Sequence, residues 1–148
     1  MLTRLQVSLI TLGVDDLSRA IRFYSDLGMR RIGEHHDEIA FFDAGGRLVF
    51  ALFGRAALAA DAALPATPRA EFGGITLAYN VRDETTVDNL LVAAVKAGGR
   101  LLKPAHRASW GGYSGYFADP DGHPWEVAHN PSFHMDEEGR LLLPAYPG

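Results

Sequence analysis

The residues Val14–Tyr24, VDDLSRAIRFY, followed shortly by Gly28, carry the strongest structural signal in this sequence. After the two aspartates, apolar side chains recur every three or four residues, the spacing that lines one face of an α-helix. Aspartate is a favoured helix N-cap, and glycine is favoured just past a helix C-terminus. The stretch therefore predicts the end of a strand, an N-cap at Asp15 or Asp16, and a helix over about residues 17–27.

The same pattern returns in the second half of the chain. The strand-like run Leu9–Asp16 reappears in outline 67 residues later as Thr76–Asp83. A second apolar stripe of helical spacing follows Asp83, and Gly98-Gly99 ends it. Because self-similarity at a fixed offset is typical of a duplicated unit, we interpret the chain as two related halves.

Each half continues with two short apolar runs joined by a turn. The four runs are Ile39–Phe42 and Leu48–Phe53 in the first half, and Ser114–Ala118 and Trp125–Ala128 in the second. Gly46 and Gly122 are the matching turn glycines of this interpretation, since glycine accepts the positive φ of a hairpin turn. With short strands near residues 29–33 and 100–102, each half has the order β-α-β-β-β.

The remaining residues connect and extend the two halves. Residues 56–71 are rich in alanine and contain Pro65 and Pro68, which is typical of a linker that begins helical and ends extended. We predict one domain over residues 1–148, made of a module at 5–55, the linker at 56–71, a module at 72–130 and a tail at 131–148. The apolar run Leu141–Leu143 of the tail should pack on the main body or on a second subunit.

Alternation along the first strand of each half predicts which side chains face the helices. Every second residue of a strand shares a face, so Ile10, Leu12 and Val14 lie together, as do Ile75, Leu77, Tyr79 and Val81. The opposite face is smaller and more polar, and a curved sheet lined in this way makes a cup. Its polar members are Thr11, Thr76 and Asn80, whose partners are either water or a ligand.

Glu126 is the acidic side chain that this pattern places in the cup. It stands between two apolar residues and points away from them, so it enters the cup if Trp125 lies under the helix. Counting from Gly46 and Gly122 places Phe50 at the corresponding position of the first half. Glu126 either bonds to neighbouring hydroxyl or indole groups, or serves a ligand as hydrogen-bond partner or general acid/base.

Two motifs resemble those of a known family. Val14–Tyr24 with Leu27-Gly28-Met29 resembles the opening module of the vicinal oxygen chelate superfamily, and Phe117–Glu126 resembles its closing motif. That superfamily includes glyoxalase I, extradiol dioxygenases, fosfomycin-modifying enzymes, methylmalonyl-CoA epimerase and bleomycin resistance proteins. The resemblance covers about residues 5–130 and implies an α+β fold of two β-α-β-β-β modules. They would form a U-shaped mixed-sheet cup with helices on its outer face, pairing either within one chain or across a two-fold dimer.

The resemblance also implies where metal-dependent members carry their ligands, on the first and last strands of each module. Those positions hold Leu9, Phe50, Thr76 and Glu126 in this chain. Leucine and phenylalanine have no donor atom, and a threonine hydroxyl is a weak ligand, so only Glu126 suits a metal. We therefore expect no cofactor, with a divalent metal at Glu126 kept as the alternative.

An aromatic, glycine-containing segment stands between the predicted strands of the second half. It spans residues 109–116 and includes Trp110, Tyr113 and Tyr116. As a lid, the three rings would stack on a flat ligand while their N–H and O–H groups orient it. The alternative is that they close the open end of the cup or pack across a dimer.

Composition narrows the classes of function. The absence of cysteine excludes disulfide scaffolds, iron–sulfur clusters and a cysteine nucleophile. A net charge of −4 without a long basic cluster argues against nucleic-acid or membrane partners. With no secretory signal pattern and no apolar run near the ~18 residues of a membrane span, we expect a cytoplasmic protein. The six histidines are interpreted as surface residues, although His106 lies near enough to the aromatic segment to reach a ligand.

Two functions are consistent with this pattern. The first is metal-independent binding of a small, partly aromatic molecule between the cup and the segment Trp110–Tyr116, as in bleomycin resistance proteins. The alternative is a glyoxalase-like lyase or isomerase, or a dioxygenase, that uses Glu126 as metal ligand or general acid/base. Whether any reaction is catalysed stays open at this point. The apolar tail favours a homodimer.

Overall fold

The protein is an α+β structure made of two similar halves. The computed structural model describes residues 4–67, 71–145 and 147, so that Pro68 of the predicted linker lies outside the described residues. The chain divides into two compact units, Met1–Arg69 and Ala70–Gly148. Each unit contains a four-stranded mixed sheet. The predicted fold class and the duplication are confirmed.

The first unit follows the predicted β-α-β-β-β order. Its elements are β1 (Leu9–Val14), α1 (Leu17–Asp26), β2 (Arg31–Ile32), β3 (Ile39–Asp43), β4 (Val49–Gly54) and α2 (Arg55–Asp61). The strand order in the sheet is β1-β4-β3-β2, in which β1 and β4 are parallel and the other pairs antiparallel. Helix α2 confirms the helical start of the linker.

The second unit repeats this arrangement with a longer second strand and a longer helix. Its elements are β5 (Leu77–Asn80), α3 (Glu84–Lys96), β6 (Arg100–Arg107), β7 (Tyr113–Ala118) and β8 (Pro124–His129), then β9 (His134–Met135) and β10 (Leu141–Leu142). The order β5-β8-β7-β6 matches that of the first sheet, with β5 and β8 parallel. Strands β9 and β10 pair as a separate hairpin in the tail.

Both principal helices begin at the aspartates that the sequence indicates. The Asp16 carboxylate accepts a hydrogen bond from the backbone N–H of Arg19 at 3.0 Å, and Asp83 accepts one from Thr86 at 2.7 Å. The Thr86 hydroxyl also donates to Asp83, and its side-chain and backbone hydrogen bonds together lower the pKa of the Asp83 carboxyl. These bonds satisfy amide groups that the helix itself leaves without partners.

Aromatic packing under α1 shows which side of the first sheet is the core. Tyr24 of α1 is buried and meets Phe50 of β4 edge to face, with ring centroids 4.9 Å apart. Phe42 of β3 lies in the same cluster, 6.2 Å from the Phe50 ring. Because Phe50 pairs with Ile10 in the β1–β4 register, Ile10 and its alternate residues share this helix-facing side, as expected.

The register corrects two of the sequence-based matches between the modules. Thr11 pairs with Ala51 in the first sheet, as Ala78 pairs with Glu126 in the second, so Ala51 and not Phe50 is the counterpart of Glu126. The turn before β4 explains the error. Arg47 takes the positive φ of 69° that Gly122 takes at 88°, so the counterpart of Gly122 is Arg47 rather than Gly46.

Strand β6 is far longer than the sequence indicates. The apolar pattern predicted a strand only near residues 100–102, whereas β6 continues to Arg107 and pairs with β7 as a hairpin. The sequence does not indicate this strand because Lys103, Pro104 and His106 are of types depleted from strands, and because apolar and polar residues alternate irregularly along it.

No helix of the described residues is long and apolar enough to cross a membrane.

Candidate functional site

The candidate site lies on the side of the second sheet that faces away from α3. Glu126 pairs laterally with Ala78 of β5 and with Tyr116 of β7, and laterally paired residues share a face. Gly115, next to Tyr116, faces α3, because an added Cβ would lie 2.7 Å from the Leu91 Cδ1 atom of that helix. We call the opposite side, which carries Glu126, Tyr116, Ser114 and Asn80, the Glu126 face.

A phenol and a carboxylate meet at the middle of the Glu126 face. The Tyr116 hydroxyl donates a hydrogen bond to Glu126 Oε2 over 3.3 Å, and both side chains are half-buried. Burial, the negative charge of Glu126 and this hydrogen bond together raise the pKa of the Tyr116 phenol. Tyr116 therefore stays a neutral donor at physiological pH, and Glu126 keeps acceptor sites for a second donor.

A second row of polar groups lies beside this pair. The register joins His106 to Ser114, Ser114 to Ala128, and Ala128 to Asn80 across four strands. Ser114 is only 3% exposed, and its carbonyl oxygen lies 3.1 Å from His106 Nδ1. A carbonyl can only accept, so this contact places a ring proton on Nδ1. Imidazole, hydroxyl and amide groups thus flank the phenol and carboxylate.

The segment expected to form an aromatic lid is instead a hairpin turn and a strand. Tyr113 and Tyr116 both belong to β7, and Tyr113 faces α3, where its hydroxyl donates to Asp88 Oδ1 at 2.8 Å. That hydrogen bond is the main cause of the raised pKa of Tyr113. The prediction that Tyr113 shares a site with Glu126 is therefore wrong, because alternate strand residues point to opposite faces.

Trp110 occupies the tip of this hairpin. The turn closes through a hydrogen bond from the Ala108 N–H to the Gly112 carbonyl at 2.8 Å. The Trp110 indole lies where a side chain on Gly112 would be, and half of its surface is exposed. Arg107 fastens the same hairpin to α3 through hydrogen bonds of 2.6 and 3.1 Å to the Glu84 carboxylate. The part of this segment outside β7 is therefore a short turn held to α3.

The remaining predicted site residues lie elsewhere. Phe50 is packed among the rings under α1, so its expected place opposite the helix is wrong. Thr11 lies beside Ala51 on the side of the first sheet that faces away from α1, as expected. Thr76 is exposed and precedes β5. Ser114 was missed, although its place two residues before Tyr116 on a strand was a usable signal.

The residues at the four metal-ligand positions that the resemblance implies do not fit a metal ion. Correcting the register replaces Phe50 by Ala51, which also lacks a donor atom, and leaves Leu9 and Thr76 as before. Within residues 4–67, 71–145 and 147, no three His, Asp or Glu side chains come together as a metal site would require. Glu126 alone retains ligand chemistry, and one carboxylate is too few for a stable site.

The chain has two β-α-β-β-β modules, and the first and last strands of each module pair in parallel. The last strand of the second module carries Glu126. This arrangement defines a protein of the vicinal oxygen chelate class. A sequence profile of the Glyoxalase/Bleomycin resistance protein/Dioxygenase superfamily matches residues 6–127. The chain belongs to this superfamily. No protein among those with curated functions matches the sequence significantly.

Solved structures agree with this assignment. A glyoxalase-related enzyme from Fulvimarina pelagi is 39% identical, with a TM-score of 0.84 over 95% of this chain and 99% of that one. A lactoylglutathione lyase from Agrobacterium tumefaciens is 27% identical, with a TM-score of 0.62 over 84% of this chain and 93% of that one. A superfamily member from Burkholderia phytofirmans PsJN, at 18% identity, 82% and 96% coverage and a TM-score of 0.73, shows the fold alone.

Proposed function

We propose that this protein binds a small organic molecule on the Glu126 face without a metal ion. The observation that carries the proposal is the half-buried hydrogen bond between Tyr116 and Glu126 on a face that no helix of its unit covers. A carboxylate in such a place is costly to desolvate unless donors surround it. Tyr116 supplies one donor, and a ligand would supply the other.

The chemistry of the face favours a ligand with a donor group and a flat body. Glu126 accepts from an amine or a hydroxyl, and a charged amine would gain a charge-assisted hydrogen bond. The Tyr116 ring supplies apolar area beside that carboxylate. Ser114 and Asn80 provide further hydrogen-bonding groups in the next row. Phosphorylated ligands are disfavoured at Glu126 itself because like charges repel.

A titration with benzylamine in the presence of a chelator tests this proposal. We expect saturable binding by NMR, weakened at least tenfold in Glu126→Gln and several-fold in Tyr116→Phe, because each change removes one partner of the amine. Glu71→Gln, which alters an exposed carboxylate outside the sheet, is the matched control and should bind as the unchanged protein does. Binding of equal strength in Glu126→Gln, or binding that needs added metal, would contradict the proposal.

The alternative is that the same pair performs catalysis. Two observations favour it: the protein that is 39% identical is described as an enzyme, and a carboxylate beside a neutral phenol is a suitable acid/base pair. In this alternative, Glu126 removes a proton from a bound substrate and Tyr116 donates a hydrogen bond to the developing negative charge. Lactoylglutathione is a fitting first probe substrate. Turnover that is lost in Glu126→Gln but persists with chelator would favour this alternative over binding alone.

A further inference from the structure

The edge strand β6 presents three basic side chains at intervals of three residues. They are Arg100, Lys103 and His106. In a regular strand this spacing would turn Lys103 to the side opposite the other two, because faces alternate every residue. The register instead pairs them with Ala118, Tyr116 and Ser114, all on the Glu126 face. We call these three residues the basic row.

Two irregularities in β6 produce this alignment. The β6–β7 register shifts once between Leu101 and Lys103 and again between Lys103 and His106. Bulges of this kind redirect side chains and are frequent beside functional sites. Gly115 makes room for the second one, since a Cβ there would lie 2.8 Å from the Lys103 carbonyl oxygen and 2.9 Å from the Ala105 nitrogen. The basic row is therefore a built feature of the sheet.

The two permanent charges of the basic row, on Arg100 and Lys103, are not neutralised by an ion pair within the described chain. Neither Arg100 nor Lys103 forms an ion pair with any of residues 4–67, 71–145 and 147. Arg107, the next basic residue, faces α3 and is paired with Glu84 at 2.6 Å. Arg107 on the helix side thus has an acidic partner, whereas Arg100 and Lys103 form no ion pair among the described residues. Like charges along one edge favour an anion from outside.

We propose that the basic row binds the anionic group of the ligand whose amine or hydroxyl contacts Glu126. The inference rests on the proposed function and narrows the ligand to a small amino- or hydroxycarboxylate. Lys103, Tyr116 and Glu126 occupy neighbouring strands, so cation and carboxylate are two strand spacings apart, about 10 Å at the backbone. A ligand with a carboxylate at one end, facing Lys103, and a hydrogen-bond donor at the other, facing Glu126, matches this separation.

Three probes of matched shape test the inference: 4-(aminomethyl)benzoate, benzylamine and benzoate, titrated by NMR with chelator present. We expect 4-(aminomethyl)benzoate to bind at least tenfold more tightly than benzylamine. In Lys103→Met, the affinity for 4-(aminomethyl)benzoate should fall to that for benzylamine. Arg100→Gln should also lower the affinity for 4-(aminomethyl)benzoate. Lys96→Met, which changes the other lysine of the chain, at the end of α3, is the matched control and should leave all three affinities unchanged.

The outcomes separate this inference from the proposed function. Benzylamine binding that depends on Glu126, with no gain from the added carboxylate, would overturn the basic row as an anion site and leave the proposed function standing. An unchanged affinity in Lys103→Met would do the same. If none of the three probes binds, both fail. Loss of 4-(aminomethyl)benzoate binding in Lys96→Met to the same extent as in Lys103→Met would show an unspecific charge effect and overturn the inference.

Discussion

At the scale of single residues, Glu126 and Tyr116 show what alternation along a strand can and cannot predict. The apolar neighbours of Glu126 were enough to place it on the face opposite the helix, and the register confirms that placement. The sequence pattern predicts Tyr116 on a strand over Ser114–Ala118, but it does not show that the strand begins at Tyr113, so the opposite directions of the two tyrosines were missed.

The raised pKa of Tyr116 has a consequence for stability at high pH. Because the folded protein holds this proton more tightly than the unfolded chain, the stabilisation is complete below the unfolded pKa of about 10 and is lost as pH rises through the folded pKa. We expect the free energy of unfolding to fall more steeply between about pH 9 and about pH 11 than it does in Tyr116→Phe. Urea denaturation across this range measures both slopes, and equal slopes would contradict the assignment.

The close packing around Gly115 leaves no room for a side chain at this position. An added methyl group would press on Leu91 and on the backbone of the β6 bulge, which cannot withdraw without breaking its register. We predict that Gly115→Ala lowers the free energy of unfolding by about 1–3 kcal/mol. Gly73→Ala is the control, since a Cβ there meets nothing within 4 Å and the site has no positive φ. Equal effects in a urea melt would refute the close packing.

At the scale of secondary-structure elements, the helices were the most predictable parts and the turns the least. Helix spacing and capping residues are local, so α1 and α3 follow directly from the sequence. The turn before β4 holds Gly45 and Gly46 in sequence, and both take positive φ, as does Arg47. Arg47 adopts the positive φ expected of a glycine, so counting from Gly46 and Gly122 misplaced Phe50 by one residue. A shift of one residue along a strand moves every side chain to the opposite face of the sheet.

The N-cap of α1 offers a test at this scale. Asp16→Ala removes the acceptor of the Arg19 N–H and should lower the free energy of unfolding by about 1 kcal/mol. Asp16→Asn keeps a capping oxygen and should cost far less, because asparagine is as good a cap as aspartate. Chemical denaturation of the two variants decides the matter. An equal loss in the two variants would show that the negative charge, and not the capping oxygen, stabilises the helix.

At the scale of the whole molecule, duplication explains both the length of the chain and the difference between its halves. The first strands repeat at an offset of 67 residues, whereas Ala51 and Glu126 are 75 residues apart. Three of these eight additional residues lengthen α3, which has 13 residues against 10 in α1, and the other five lie in the long β6–β7 hairpin. That hairpin carries the basic row and Tyr116, so the polar groups that distinguish the two sheets are concentrated where the modules differ most.

The apolar tail leads to a prediction about assembly. Leu142 and Leu143 are 52% and 63% exposed, an arrangement that favours burial against a second copy. We predict a homodimer with twice the chain mass of 16.1 kDa by light scattering. Leu142→Asp should shift the population toward the monomer, since a buried charge without a partner is costly. A monomeric wild-type protein, or a dimer unaffected by Leu142→Asp, would contradict this role for the tail.

Mapping amide NMR shifts while 4-(aminomethyl)benzoate is added in the presence of a chelator is the sharpest test of a metal-independent binding face around Glu126. Binding at this face should place the largest shifts on β6, β7 and β8 around Lys103, Tyr116 and Glu126, and these shifts should disappear in Glu126→Gln. Shifts confined to the apolar groove of about 700 Å³ between α3 and β6, lined by Val92, Val95 and Leu101, would contradict it. So would shifts that arise only after a divalent metal is added.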